Sequence, residues 1–136
     1  MKVVVVNKPF ELEIKEVEKP VVTDGKDVII KVASGGICGS DIGIYNGTNK
    51  LATYPRIIGH EFAGIVDQVG ADVTKVKVGD LVAVDPVSSC GHCYACRVGR
   101  PNVCNEVEVA GVHRDGGYAQ YNKASEDAVY KLDKSK

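Results

Sequence analysis

Cys90-Gly91-His92-Cys93-Tyr94-Ala95-Cys96-Arg97-Val98-Gly99-Arg100-Pro101-Asn102-Val103-Cys104 carries four thiols at the spacing Cys-x2-Cys-x2-Cys-x7-Cys. Two overlapping Cys-x-x-Cys units of this kind read as a zinc site. Four thiolates complete a tetrahedral zinc shell and leave no position for a substrate, so such a site is structural. Gly91 and Gly99 let the backbone turn tightly around a metal. The residues between the cysteines show no hydrophobic period, so a lobe spanning about 85–105 needs its metal to stay ordered. Metal-coupled folding of small units of this type is worth about 10–16 kcal/mol near neutral pH. Reduced thiols and an iron–sulfur cluster are the alternatives that the same residues allow. His92 is expected as an exposed loop residue, because four thiolates already fill the shell. With only Arg97 and Arg100 as basic residues, the lobe is too poor in charge for a nucleic-acid footprint.

Around this lobe lies a chain of 136 residues, 44% apolar and 26% charged, long enough for one domain with a real core. Its net charge is −1 and no basic run occurs, which argues against nucleic-acid and membrane surfaces. Val3–Val6 is too short for a signal-peptide core or a membrane span, so the expected compartment is the cytoplasm. Five cysteines could form a disulfide knot with one thiol over in a secreted chain. Without an export signal, metal binding is the better reading.

The remaining pattern is mainly β. Val3–Val6, Leu12–Val17, Val28–Ala33, Phe62–Val69 and Leu81–Val84 read as short strands, bounded by turn residues such as Asp24-Gly25 and Gly79-Asp80. Tyr118–Tyr121, entered from Gly116-Gly117, and Ala128–Leu132 read as closing strands. Short strands with turns between them predict a barrel with few short helices. One helix is expected at Ser40–Tyr45, capped by Ser40 or Asp41 and ended by Gly47. The charged tail 131–136 reads as a linker or a cut end.

A second constellation stands apart from the lobe. Cys38 lies in Gly35-Gly36-Ile37-Cys38-Gly39-Ser40-Asp41, and Gly59-His60-Glu61 follows before a strand. One thiol, one imidazole and one carboxylate could form an open zinc site with room for a water or an alcohol. By spacing alone the set is weak, since a lone cysteine usually packs in a core and a His-Glu pair is usually solvated or hydrogen-bonded.

Gly36–Asp41, Gly59-His60-Glu61-Phe62-Ala63-Gly64, Val78-Gly79-Asp80-Leu81-Val82-Ala83, the cysteine lobe and Asp115-Gly116-Gly117-Tyr118-Ala119 occur in this order. In this the chain resembles the N-terminal, GroES-like catalytic domain of zinc-dependent medium-chain dehydrogenases, over nearly its whole length. It is most similar to the sorbitol, threonine and sugar-acid branch, and Val84–Cys104 with Gly111-Val112-His113 resembles the starvation-sensing subgroup. The resemblance implies a GroES-like catalytic domain over 1–136. It implies Cys38 and His60 as catalytic zinc ligands, with Glu61 as a direct or exchanging one. Ser40 would take the substrate proton, and Asp41 would hold the His60 ring. For both Ser40 and Asp41, a helix cap is the plainer reading. The implied activity is oxidation of an alcohol, polyol or sugar acid, with a nicotinamide accepting the hydride. The resemblance is also compatible with a homo-oligomer in a full-length form.

Two departures matter. No Gly-x-Gly-x-x-Gly fingerprint occurs among the fifteen glycines, so the NAD- or NADP-binding Rossmann domain is expected to be absent and the chain to be inactive alone. The family's third ligand beyond the barrel would also fall past Lys136. Gly43, moreover, stands where many relatives carry a histidine that continues the proton relay. A non-catalytic zinc-binding interaction module, or a decayed paralogue, is the competing reading. His113 and Arg114 are expected in a solvent-exposed loop, and Tyr45 and Tyr54 either line a cleft or pack.

Overall fold

The computed structural model describes residues 1–133. The strands are β1 (Lys2–Lys8), β2 (Glu11–Glu16), β3 (Asp27–Gly36), β4 (Arg56–Ile57), β5 (Glu61–Val69), β6 (Leu81–Val84), β7 (Val87–Ser88), β8 (Glu108–Val109), β9 (Tyr121–Ser125) and β10 (Val129–Lys131). Of these, β1, β2, β3, β5, β6 and β10 fall on expected strands with bounds shifted by up to three residues, and the two-residue β4, β7 and β8 are additional. Two helices accompany them, α1 (Gly39–Tyr45) and α2 (Tyr94–Arg97). The main sheet is five-stranded and antiparallel, in the order β10-β6-β5-β3-β9. Register shifts after Ile29 and after Val32 bend β3 and curl the sheet into a half-barrel. A second sheet, β2-β1-β4, packs beside it, and β7 pairs with β8 at the base of the cysteine lobe.

Alternation explains the core. Along β5, Phe62, Gly64 and Val66 point inward while Glu61 and Ile65 stay exposed. Phe62 and Val66 join Val28, Ile30, Val82, Val84 and Val129 in the larger apolar cluster. A smaller cluster of Val6, Ile44, Ile58 and Val112 seats α1 on β1. Tyr54 packs against it and donates its hydroxyl to the Ile44 carbonyl, while Tyr45 meets Phe10 edge-on with ring centroids 5.6 Å apart. Both tyrosines therefore serve packing.

Three local expectations change. The N-cap of α1 is Cys38, with Ser40 and Asp41 inside the first turn, because Asp41 Oδ2 accepts the Cys38 N–H at 3.0 Å. Residues 116–118 run beside 57–59, with Gly117 N–H on the Gly59 carbonyl at 2.8 Å and Tyr118 N–H on that of Ile58 at 3.0 Å. That pairing holds Tyr118 off the main sheet, so β9 begins only at Tyr121. His113 is half-buried, its Nδ1 accepting the Val109 N–H at 3.0 Å. As expected, α1 stops before Gly47, whose φ is +79°. Of the tail 131–136, Lys131 closes β10, and 134–136 lie outside the described residues. Among the described residues, no helix is long and apolar enough to cross a membrane.

Candidate metal centres

In the lobe, Cys93 caps α2, Cys96 lies within it, and Cys104 closes a short 3-10 turn begun by Pro101. Their sulfurs converge with that of Cys90: Cys104–Cys90 is 3.5 Å, Cys93–Cys96 3.6 Å, Cys93–Cys104 3.9 Å and Cys90–Cys96 4.0 Å. Disulfide sulfurs lie at about 2.05 Å, so these are free thiols and no knot forms. Zinc–thiolate bonds of about 2.3 Å at the tetrahedral angle require sulfurs about 3.8 Å apart, which is the spacing found. The donor set thus fits one tetrahedral ion.

Backbone donors are already turned toward these sulfurs. Cys90 N–H and Glu106 N–H each reach Cys104 Sγ, and Cys93 N–H reaches Cys90 Sγ, all at 3.3 Å. Bonds from the Cys96 and Asn105 N–H groups lower the Cys93 thiol to about 6. Burial and the neighbouring thiols push Cys96 up to about 11.

The second constellation also assembles, because the β3–β5 ladder sets Gly36 opposite Glu61. The chain leaving β3 toward Cys38 therefore meets the chain entering β5 from His60. The Cys38 Sγ, a His60 ring nitrogen and a Glu61 carboxylate oxygen all lie within 4.8 Å of one another. A Cβ on Gly36 would lie 2.8 Å from Glu61 Oε2, so a larger residue there would shift that carboxylate. Ser40 Oγ sits between the other two, 3.4 Å from Cys38 Sγ and 3.2 Å from His60 Nε2.

Behind the ring lies Asp41, 3% exposed. Its Oδ1 is 3.4 Å from His60 Nδ1, and both of these buried atoms are without a hydrogen-bond partner. A proton on Nδ1 would point at Oδ1 and leave the lone pair on Nε2, the nitrogen 3.2 Å from Ser40 Oγ. That orientation is what a metal-ligating histidine requires. The donor set and the held ring both fit zinc.

Sequence reasoning overlooked the hydroxyl of Tyr118, which lies 2.9 Å from Asp41 Oδ2 and 2.7 Å from the Gly36 carbonyl. Burial beside the Asp41 carboxylate raises its pKa, so it remains a donor. The signal was present in Asp115-Gly116-Gly117-Tyr118, where a double glycine brings an aromatic with a polar tip close to another chain segment. A Cβ on Gly116 would lie 2.1 Å from the Gly59 carbonyl oxygen, and one on Gly59, 2.4 Å from the Tyr118 ring.

Residues 24–134 match the alcohol dehydrogenase GroES-like domain. The chain is 54% identical over 121 residues to the starvation-sensing protein RspB of Escherichia coli K12, covering 89% of this chain and 35% of that protein. It is 40% identical over 121 residues to L-galactonate-5-dehydrogenase of the same organism, with the same 89% and 35% coverage. Superposition on the NADH complex of rspB from Escherichia coli CFT073 gives a TM-score of 0.92 at 48% identity, over 99% of this chain and 39% of that one. The chain therefore spans about a third of the length of the curated relatives it matches.

Proposed function

We propose, because this chain belongs to the alcohol dehydrogenase GroES-like domain family, that it is the catalytic-domain portion of a zinc-dependent NAD(P) oxidoreductase acting on the CH–OH group of an alcohol, polyol or sugar acid. The observation that carries this reading is the convergence of Cys38, His60 and Glu61 within 4.8 Å, with Ser40 Oγ 3.2 Å from His60 Nε2. Cys38, His60 and Glu61 would hold a catalytic zinc. Cys90, Cys93, Cys96 and Cys104 would hold a structural one, their near-tetrahedral spacing favouring a single ion over a cluster that spreads its ligands across several irons. When bound, zinc would make a substrate hydroxyl more acidic, and a nicotinamide would supply the hydride acceptor.

The chain's own residues divide the remaining work. Ser40, exposed beside His60, takes the substrate hydroxyl proton on Oγ and passes its own to solvent. With Gly43 one helical turn from Gly39, no side chain at that position extends the route, so it ends in water. Asp41 keeps the His60 proton on Nδ1, and Tyr118 keeps the Asp41 carboxylate turned toward the ring. The substrate class is supported by the similarity to L-galactonate-5-dehydrogenase and, at 42% identity, to a sorbitol dehydrogenase of Bacillus subtilis.

Zinc analysis of the purified chain and of its Cys38→Ala variant tests the reading. The expected content is two ions falling to one. Unchanged content would remove the case for a catalytic metal and leave the interaction-module reading in its place.

A further inference from the structure

Beside the four-cysteine centre, on its solvent side, a third group of donor atoms gathers. Cys90 Sγ, a His92 ring nitrogen and a Glu106 carboxylate oxygen lie within 4.8 Å of one another. His92 and Glu106 belong to neither set discussed above, and their side chains are 73% and 64% exposed, open to an arriving solute.

Hydrogen bonding fixes the histidine. His92 Nδ1 lies 2.9 Å from the Cys90 carbonyl oxygen, which can only accept, so Nδ1 carries the proton. A ring that donates one N–H to a backbone carbonyl presents its other nitrogen as a lone pair, the usual state of a metal-ligating histidine. That nitrogen, Nε2, faces Glu106 Oε1 at 3.6 Å. With Cys90 Sγ also within 4.8 Å, these two atoms give one cation three ligand atoms of the types zinc takes. Zinc bonds of about 2.0–2.2 Å to nitrogen and oxygen set such a pair about 3.4 Å apart at the tetrahedral angle, close to the separation found. Glu106 is held at this rim because its own N–H bonds to Cys104 Sγ.

We propose that Cys90, His92 and Glu106 form a capture site for zinc, from which the ion passes to the four-cysteine centre through the shared Cys90 thiolate. The inference rests on the reading of that centre as a zinc site. The passage is a ligand exchange without redox change. Bonds to His92 Nε2 and Glu106 Oε1 break as bonds to Cys93, Cys96 and Cys104 form, and any thiol proton displaced goes to solvent. When the centre is already full, an incoming ion bound at Cys90, His92 and Glu106 shares one thiolate with the resident ion and loosens it. Exchange therefore becomes faster as free zinc rises.

The test uses zinc-loaded protein in a Cys38→Ala background, so that one class of zinc remains, and follows uptake of isotopically labelled zinc. The expected rate rises in proportion to free zinc. His92→Ala with Glu106→Gln abolishes that dependence and slows exchange about tenfold, at the low end of what focused surface sites add to association rates. The zinc affinity of the double variant at equilibrium stays within twofold. Equal exchange rates in the two proteins would overturn the proposal and leave His92 and Glu106 as a surface ion pair. A parallel loss of equilibrium affinity would overturn it in favour of a purely structural role. A Cys38→Ala protein that holds no zinc would instead refute the four-cysteine reading itself.

Discussion

Replacing Asp41 by asparagine changes one atom of a nearly buried side chain and reverses what the His60 ring experiences. The amide oxygen must occupy the place of Oδ2, because the Cys38 N–H at 3.0 Å requires an acceptor there, while the Tyr118 hydroxyl has the Gly36 carbonyl at 2.7 Å as its acceptor. The amide NH2 is then forced into the place of Oδ1, 3.4 Å from His60 Nδ1. A donor now faces Nδ1, which becomes an acceptor, and the single ring proton moves to Nε2. That nitrogen no longer offers a lone pair toward Cys38 and Glu61. Restoring the ligating form sets two N–H groups against each other in a buried site. Loss of such an orienting partner weakens metal binding by about 10–100-fold, or about 1.4–2.8 kcal/mol.

Competition of the purified protein against a chromophoric chelator measures this directly, since the four-cysteine centre serves as an internal standard within the same titration. Asp41→Asn is expected to weaken one class of site by that factor and leave the other unchanged, with an unfolding midpoint close to that of the parent. Equal affinities within twofold at both classes would refute the orienting role of Asp41.

Other substitutions test the scaffold. Glu126, 2% exposed, accepts the Thr74 and Lys75 N–H groups and the Lys26 ammonium, which lowers its pKa from 4.5 to about 2. A depressed folded-state pKa stabilises fully above the unfolded value and loses its effect as pH falls toward 2. Denaturant midpoints should therefore drop between pH 4.5 and 2, and Glu126→Gln should flatten that slope while lowering the midpoint at neutral pH. Gly64→Ala would drive a Cβ to 2.2 Å from the Lys31 carbonyl oxygen, and urea unfolding should show a loss of about 1–3 kcal/mol. Gly43→Ala, whose Cβ would meet nothing nearer than Thr48 Oγ1 at 3.4 Å, should stabilise by about 0.5–1 kcal/mol in the same assay. Tyr118→Phe removes only the hydroxyl on Asp41 Oδ2 and should weaken the same class of metal site as Asp41→Asn, by a smaller factor, in the chelator titration.

What could be read from residues alone follows from the range of the interactions involved. Leu81–Val84 was bounded correctly because a β-branched run between turn residues needs no distant partner to be recognised. The cysteine lobe was legible for the same reason, its four thiols lying within one short stretch and converging as their spacing implies. The two-residue strands β4, β7 and β8 are too short to show a period, and only their partners make them strands. Tyr118 and Glu126 mark the harder limit. Tyr118 acts on Asp41, 77 residues away, and Glu126 on Lys26, 100 residues away, and no local pattern announces either. The glycines come between these cases. Gly59, Gly116 and Gly117 announce that something must approach closely, and only the folded chain shows that it is the Tyr118 ring, the Gly59 carbonyl and the Phe62 ring. Those approaches carry the Tyr118 hydroxyl to Asp41, whose other carboxylate oxygen lies 3.4 Å from His60 Nδ1.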